Sequence, residues 1–262
     1  MVRVGLRGGV FLLCVAASLS LLSAAQAASA DAVRSIVEQA LSARAAGKSL
    51  QEREILERGL EAVGPEDPAS YTLYQMLGQH HADLGNLARA AELSERALKL
   101  ARAPLQEHAV LARLVSLRAS LRQKVMADSE LERLGRLERK LRSSAKWQQV
   151  AMLVEARSAW ARAYLHASRG HLAQAEQEWT RCLSSARAVL QDTTDDDGGL
   201  FYLIDCTAGL MNVHIATGQL AAAGAVADEE PAAITRFAER AQRPAINARI
   251  AGAFGRLALE QG

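Results

Sequence analysis

Three stretches of the chain repeat one arrangement of apolar and polar positions. They are His81-Ala-Asp-Leu-Gly85-Asn-Leu87-Ala88-Arg-Ala90, His166-Ala-Ser-Arg-Gly170-His-Leu172-Ala173-Gln-Ala175 and His214-Ile-Ala-Thr-Gly218-Gln-Leu220-Ala221-Ala-Ala223. In each, an Ala/Leu-rich helical stretch precedes the glycine and another follows it. The glycine therefore marks a helix C-terminus, where a positive φ costs little, and the unit is a helix hairpin. Gly47 stands between an Ala-rich helix from about Asp31 and a second helix over Leu50 to Val63, and Gly255-Arg-Leu257-Ala258 repeats the core of the pattern. The gap between Gly85 and Gly170 requires one further, degenerate turn, which the spacing places near Met126 to Asp128. Ser129-Glu-Leu-Glu132 there reads as a capping box. Units of about 40 residues tile the chain, the mark of a solenoid whose hairpins bury their apolar faces by stacking on neighbours.

Composition supports helices. Hydrophobic residues make up 50% of the chain but aromatics only 4%, a balance that favours Ala/Leu helices over β-branched and aromatic strands. The first residues carry Arg3 and Arg7 without an acid, then an apolar run from Val10 to Ala25, then Ala25-Gln26-Ala27. Positive start, apolar middle and small-x-small end make residues 1–27 a secretory signal peptide, too short to read as a membrane span. Cys14 lies inside the apolar run, so it does not suit lipidation. Removing Arg3 and Arg7 from 31 basic residues leaves 29 against 29 acidic ones. A neutral mature chain lacks the basic excess that draws proteins to nucleic acid or anionic membranes. The expectation is a periplasmic or secreted protein, 28–262, with no nucleic-acid partner and no stable membrane span after cleavage.

Tyr74-Gln-Met-Leu77-Gly78-Gln-His-His81-Ala-Asp-Leu84-Gly85-Asn-Leu87, followed by Ala90, Ala97, Leu98 and Pro104, resembles the tetratricopeptide repeat. The match is strongest over Tyr71 to Pro104, fair over Ala156 to Val189, weaker over Ile204 to Pro231, and rests on period elsewhere. Histidine replaces the family's usual tyrosine four residues before the glycine, and the units exceed the standard 34 residues. The resemblance implies an all-α, right-handed α-solenoid of antiparallel helix hairpins, about five of them. Pro231 and Pro244 each suit a helix start, and the last helix either runs straight through Gly255 as a C-terminal capping helix, the favoured reading, or belongs to a shortened version of a longer array. The resemblance also implies a protein or peptide ligand in the cell envelope, held on the concave face formed by the first helices. Carried over residue by residue, the partner-binding positions are Gln75, Gln79 and Asp83 with Thr72, then Arg157, Trp160 and Tyr164 with Ser168, then Asn212 with Asp205. Arg162 stands where the family has an apolar residue. Trp160 and Tyr164 either anchor a ligand or fill the core between hairpins. Cys182, late in one second helix, and Cys206, early in the next first helix, are close enough in such an array to pair once exported; the other reading is two buried thiols.

Candidate chemistry is sparse. His81, His166 and His214 occupy one position in three units, but neighbouring helices lie about 8–10 Å apart, while a zinc needs its ligands within about 2.1 Å. Packing is the better reading, and no metal or other cofactor is expected. Asp192 to Gly199 fails as a calcium loop, because placing Gly198 sixth puts Thr193 first and Ile204 twelfth. Arg133, Arg136, Arg139, Lys140 and Arg142 are interleaved with Glu130, Glu132 and Glu138, as on a solvated, self-paired helix face. No nucleophile or phosphate-loop motif stands out. Two functions remain: a binding scaffold without catalysis, or a docking or sensory array for an enzyme in another chain or region.

Overall fold

The computed structural model describes residues 29–144, 147–192, 197–229, 235 and 244–261. The proposed signal segment and the stretch from Thr193 to Asp196 lie outside the described residues, as does Pro231. All regular structure described is helical. The helices are α1 (29–45), α2 (Ser49–Val63), α3 (Ser70–Asp83), α4 (Leu87–Leu100), α5 (Pro104–Ser120), α6 (Lys124–Arg142), α7 (Trp147–Ser168), α8 (Leu172–Asp192), α9 (Asp197–Ala216), α10 (Leu220–Glu229) and α11 (Pro244–Gln261). From α2 to α10 each packs on its successor, and α7 also packs on α5 and on α9. The chain is an all-α solenoid of stacked hairpins.

One turn recurs five times. Gly47, Gly85, Gly170 and Gly218 adopt φ of 69°, 77°, 74° and 74°, and Arg122 adopts 58°. At each, the residue's own N–H bonds the carbonyl three back, and the next N–H bonds the carbonyl five back: Asn86 to His81, His171 to His166, Gln219 to His214, Lys48 to Ala43 and Gln123 to Arg118. This is the Schellman end of a helix, which satisfies carbonyls the helix itself leaves open. The residue after the left-handed one then accepts the first bond of the next helix, as Asn86 does from Ala90 and Gln123 from Ala127. Two helices are thus joined with almost no connecting chain.

The degenerate turn falls at Leu121–Gln123, not at Met126 to Asp128, which lie within α6; Ser129 to Glu132 is helix interior and no cap. Arginine in place of glycine hid the turn, although its spacing from Gly85 matches that of Gly47. Gly255 likewise marks no turn, because α11 runs through it.

The core follows the hairpins. One cluster gathers Leu56, Leu73, Tyr74, Leu77, Leu93, Val110 and Leu114 from α2 to α5, and a larger one runs from Leu111 through Val154, Trp179 and Leu203 to Ile250. Helix α9 is central. It is the described helix long and apolar enough to cross a bilayer, yet 78% of that window is buried by its neighbours. Its approach to α8 depends on Gly209, where a Cβ would sit 2.5 Å from the Trp179 ring. At the other end, Glu52 of α2 accepts from Arg44 of α1 at 2.9 Å and faces His80 of α3 at 3.4 Å. Burial pushes the Glu52 carboxyl up, but the bonds from His80 and Arg44 outweigh it and hold the group below its usual range. The triad ties three helices together beside the apolar cluster of Val33, Leu56 and Leu73.

Arg122→Gly tests the turn. A non-glycine residue in this conformation costs about 1–2 kcal/mol, partly offset by the greater unfolded-state freedom of glycine. The variant should gain up to about 1 kcal/mol, or roughly 2–4 °C in Tm for a chain of this size. Gly170→Ala should lose a similar amount; a Tm lowered by Arg122→Gly would contradict the assignment.

Candidate functional site

Four of the seven proposed partner-binding residues meet. Gln79 and Asp83 of α3 and Trp160 and Tyr164 of α7 line one cleft of about 310 Å³, with Arg113, Ser116 and Ser120 from α5 and Phe201 and Asp205 from α9. The cleft thus lies on the side shared by the first helices of four hairpins. Asn212 lines a neighbouring cleft of about 260 Å³ that shares Tyr164 with the first. Gln75 and Arg157 line neither. The backbone carbonyl of Gln75 accepts from Arg113 Nη1 at 3.1 Å, joining α3 to α5. Arg157 lies near enough to His108 and Tyr71 for its charge to act on both.

The floor of the cleft is a buried carboxylate. Asp205 is 1% exposed and its Oδ2 accepts from Trp160 Nε1 at 2.7 Å and Tyr164 Oη at 2.9 Å. Bonds to an ionised acceptor are roughly twice as strong as neutral ones, so both rings are fixed in orientation. Trp160 packs edge-on against Tyr164, Phe201 and Tyr202, with centroids 5.1, 5.9 and 5.8 Å away, and Tyr164 against Trp179 at 5.1 Å. Trp160 is only 7% exposed. It is chiefly a core residue that shows one edge to the cleft, and Tyr164 is the more open of the two. Cys182 and Cys206 stand in the middle of α8 and α9, not near their ends, and the structure joins their sulfurs, with Cα atoms 6.2 Å apart. The link adjoins Asp205 in sequence and ties α9 to α8.

Arg162 accounts for itself. It points away from the cleft, with Glu138 of α6 at 3.6 Å and Glu178 of α8 at 3.0 Å. The apolar position the repeat leads one to expect is filled by an arginine clamped between two carboxylates. The same layer holds His108, whose Nε2 is 3.0 Å from Ser158 Oγ. His108 and Ser158 are both fully buried. The pair cross-links α5 and α7. On the basic face of α6, Arg133 pairs with Glu107 at 3.3 Å, Arg136 with Glu132 at 3.7 Å, and Arg142 with Glu138 at 2.8 Å.

The recurrent histidines serve the turns through their carbonyls. Among the described residues no group of three or more His, Cys, Asp or Glu side chains is gathered as metal ligands would be. Burial lowers the pKa of His81 and His166. Sequence reasoning missed the contribution of α5, because its turn was misplaced and its register with it. It also missed Phe201, an aromatic in the first turns of α9 that no repeat position singles out.

No family model matches the sequence and no curated protein matches it significantly. Among solved structures, the chain is similar to a tetratricopeptide repeat protein from Parabacteroides merdae ATCC 43184, with 17% identity, a TM-score of 0.36, and coverage of 88% of this chain and 91% of that one. A likeness at this distance carries no information about ligand or partner.

Trp160→Ala should cost about 3–5 kcal/mol of stability, as for a buried tryptophan. Tyr164→Phe, which keeps the ring and loses the bond to Asp205, should cost about 1.5–3 kcal/mol. Urea unfolding of both variants checks the order; equal stability of Trp160→Ala and wild type would place the ring outside the core.

A second test uses pH. Burial, with the Arg157 charge adding, pushes His108 down from 6.5 to about 4. Between those values the unfolded chain binds more protons than the folded one, so stability falls as pH drops through that window. The loss attributable to His108 is on the order of 3 kcal/mol. His108→Gln should flatten the fall in urea midpoint between pH 7 and pH 4.5; an unchanged slope would contradict the assignment.

Proposed function

We propose that the protein is an exported scaffold that binds a protein or peptide partner in the concave cleft of α3, α5, α7 and α9, without chemistry of its own. The observation that carries this reading is the convergence of Gln79, Asp83, Arg113, Trp160, Tyr164 and Asp205, from four separate hairpins, on a single cleft. Trp, Tyr and Arg are the residue types that most often anchor interfaces. Here the aromatic pair is held from beneath by a buried carboxylate, so binding would not have to order it first. The polar rim of Gln79, Asp83, Ser116 and Ser120 suits the backbone groups of a peptide. Tetratricopeptide-like arrays generally bind proteins in this way, which agrees with the repeat pattern of this chain. Export is supported by the charge and hydropathy pattern of residues 1–27 and by the linked Cys182 and Cys206, since disulfides persist in oxidising compartments. Closing a loop of this length would stabilise the fold by about 3 kcal/mol in the chain-entropy account.

The test combines capture and mass. The mature protein, used as bait with crosslinking against a cell-envelope fraction, should retain a partner. Ser120→Arg, which fills the cleft mouth from an exposed position, should lower the yield at least about tenfold, and Arg136→Ser on the outer helix α6 should leave it unchanged. Equal yields from both variants would refute the cleft. Intact mass of the exported protein should show loss of residues 1–27 and absence of two thiol hydrogens; a retained Met1 would refute export by this segment, and two free thiols the bond.

A further inference from the structure

The last described helix departs from the rule that governs the array. In a solenoid each unit touches only its neighbours. Helix α11 packs on α9 and α10 as the next layer should, but it also touches α3, near the opposite end of the array. Its 18 residues span about 27 Å, so the solenoid curves until α3 and α9 come within reach of one helix. These two helices supply Gln79, Ala82 and Asp83 on one side of the main cleft and Phe201 and Asp205 on the other.

Helix α11 is held along one face. Over residues 250–260 the buried side chains are Ile250, Ala253 and Leu257, and all the others are exposed. Ile250 joins the main core, while Ala253 and Leu257 pack with Met211, Ala223 and Ala227. This is the apolar stripe of an amphipathic helix, whereas α9 is buried nearly all round. A polar contact runs from Arg256 to Asn212. Asn212 is the groove position that the repeat assigns to the fifth hairpin, and it lines the cleft that shares Tyr164 with the main one.

We propose that α11 is an intramolecular ligand of the concave face, and that the partner presents an amphipathic helix of the same pattern that replaces it. The pattern is a small or aliphatic residue at i, i+3 and i+7 with a basic residue at i+6, as in Ile250, Ala253, Leu257 and Arg256. The interface of α11 reaches Asn212, which lines the smaller cleft beside Tyr164, and so borders the surface a replacement must match. The proposal rests on the reading that the concave face is the binding surface.

The test needs no identified partner. Ala253→Asp with Leu257→Asp in the mature chain should detach α11. Amide exchange should then rise at least about tenfold over residues 76–83 of α3 and 205–214 of α9, while α5 and α6, the internal control for folding, stay protected. A synthetic peptide of residues 244–262 should bind this variant at least about tenfold more tightly than wild type, where the site is occupied, and restore protection to both segments. The same peptide carrying I250S, A253S and L257S should bind neither protein. If the double variant fails to keep α5 and α6 protected, Arg256→Ala, which removes only the bond to Asn212, should give the same changes at smaller amplitude. Unchanged α3 exchange in a variant whose α11 exchanges freely would overturn the proposal. So would equal binding of the peptide to variant and wild type, or binding to neither. Loss of partner capture in Ser120→Arg together with any of those results would leave the cleft standing and remove α11 as a competitor for the concave face.

Discussion

A residue in the left-handed conformation, set at the same point of every helix pair, is the constraint on which the rest of the structure depends. It closes the carbonyls of one helix and starts the next within three residues, so the two helices must lie antiparallel and in contact. Repetition of that geometry at residues 47, 85, 122, 170 and 218 stacks the first helices of successive hairpins on one side. The cleft follows from this placement, since none of its walls comes from a single unit. Loss of one turn would rotate every later hairpin and separate residues that are far apart in sequence.

On that scaffold the buried Asp205 joins the packing of α7 and α9 to the cleft. A carboxylate removed from water is costly unless its oxygens are bonded, and Trp160 and Tyr164 supply bonds from the facing helix. The same bonds aim the two rings along the cleft. The disulfide one residue away and the close approach of Trp179 to Gly209 hold α9 from its other side. The cleft floor is therefore rigid in proportion to how much of α9 is committed elsewhere. Helix α11, which over residues 250–260 buries Ile250, Ala253 and Leu257, is held along one face.

The hairpins were legible because their punctuation is chemical: glycine at four of five turns and Ala/Leu helices on either side. The fifth turn was not, because Arg122 takes the strained conformation and nothing about an arginine announces it. That single residue displaced the turn by four to six positions and removed α5 from the groove as read from sequence, with Arg113, Ser116 and Ser120. Gln79, Asp83, Trp160 and Tyr164 were legible since they lie at fixed offsets from Gly85 and Gly170. Gln75 and Arg157 share those offsets but are drawn into contacts between helices, a choice made by neighbours the repeat does not encode. The contact of α11 with α3 depends on the summed curvature of all the hairpins, a quantity no local pattern carries.

The central claim is that the concave side of the first helices, and not the outer helices, meets the partner. It is tested most directly by placing a photo-crosslinking amino acid at Gln79, inside the cleft, or at Arg136, on the outer face of α6, and irradiating intact cells that produce each variant. The account predicts a discrete crosslinked species from position 79 and none from position 136. Crosslinking from position 136 alone would contradict it.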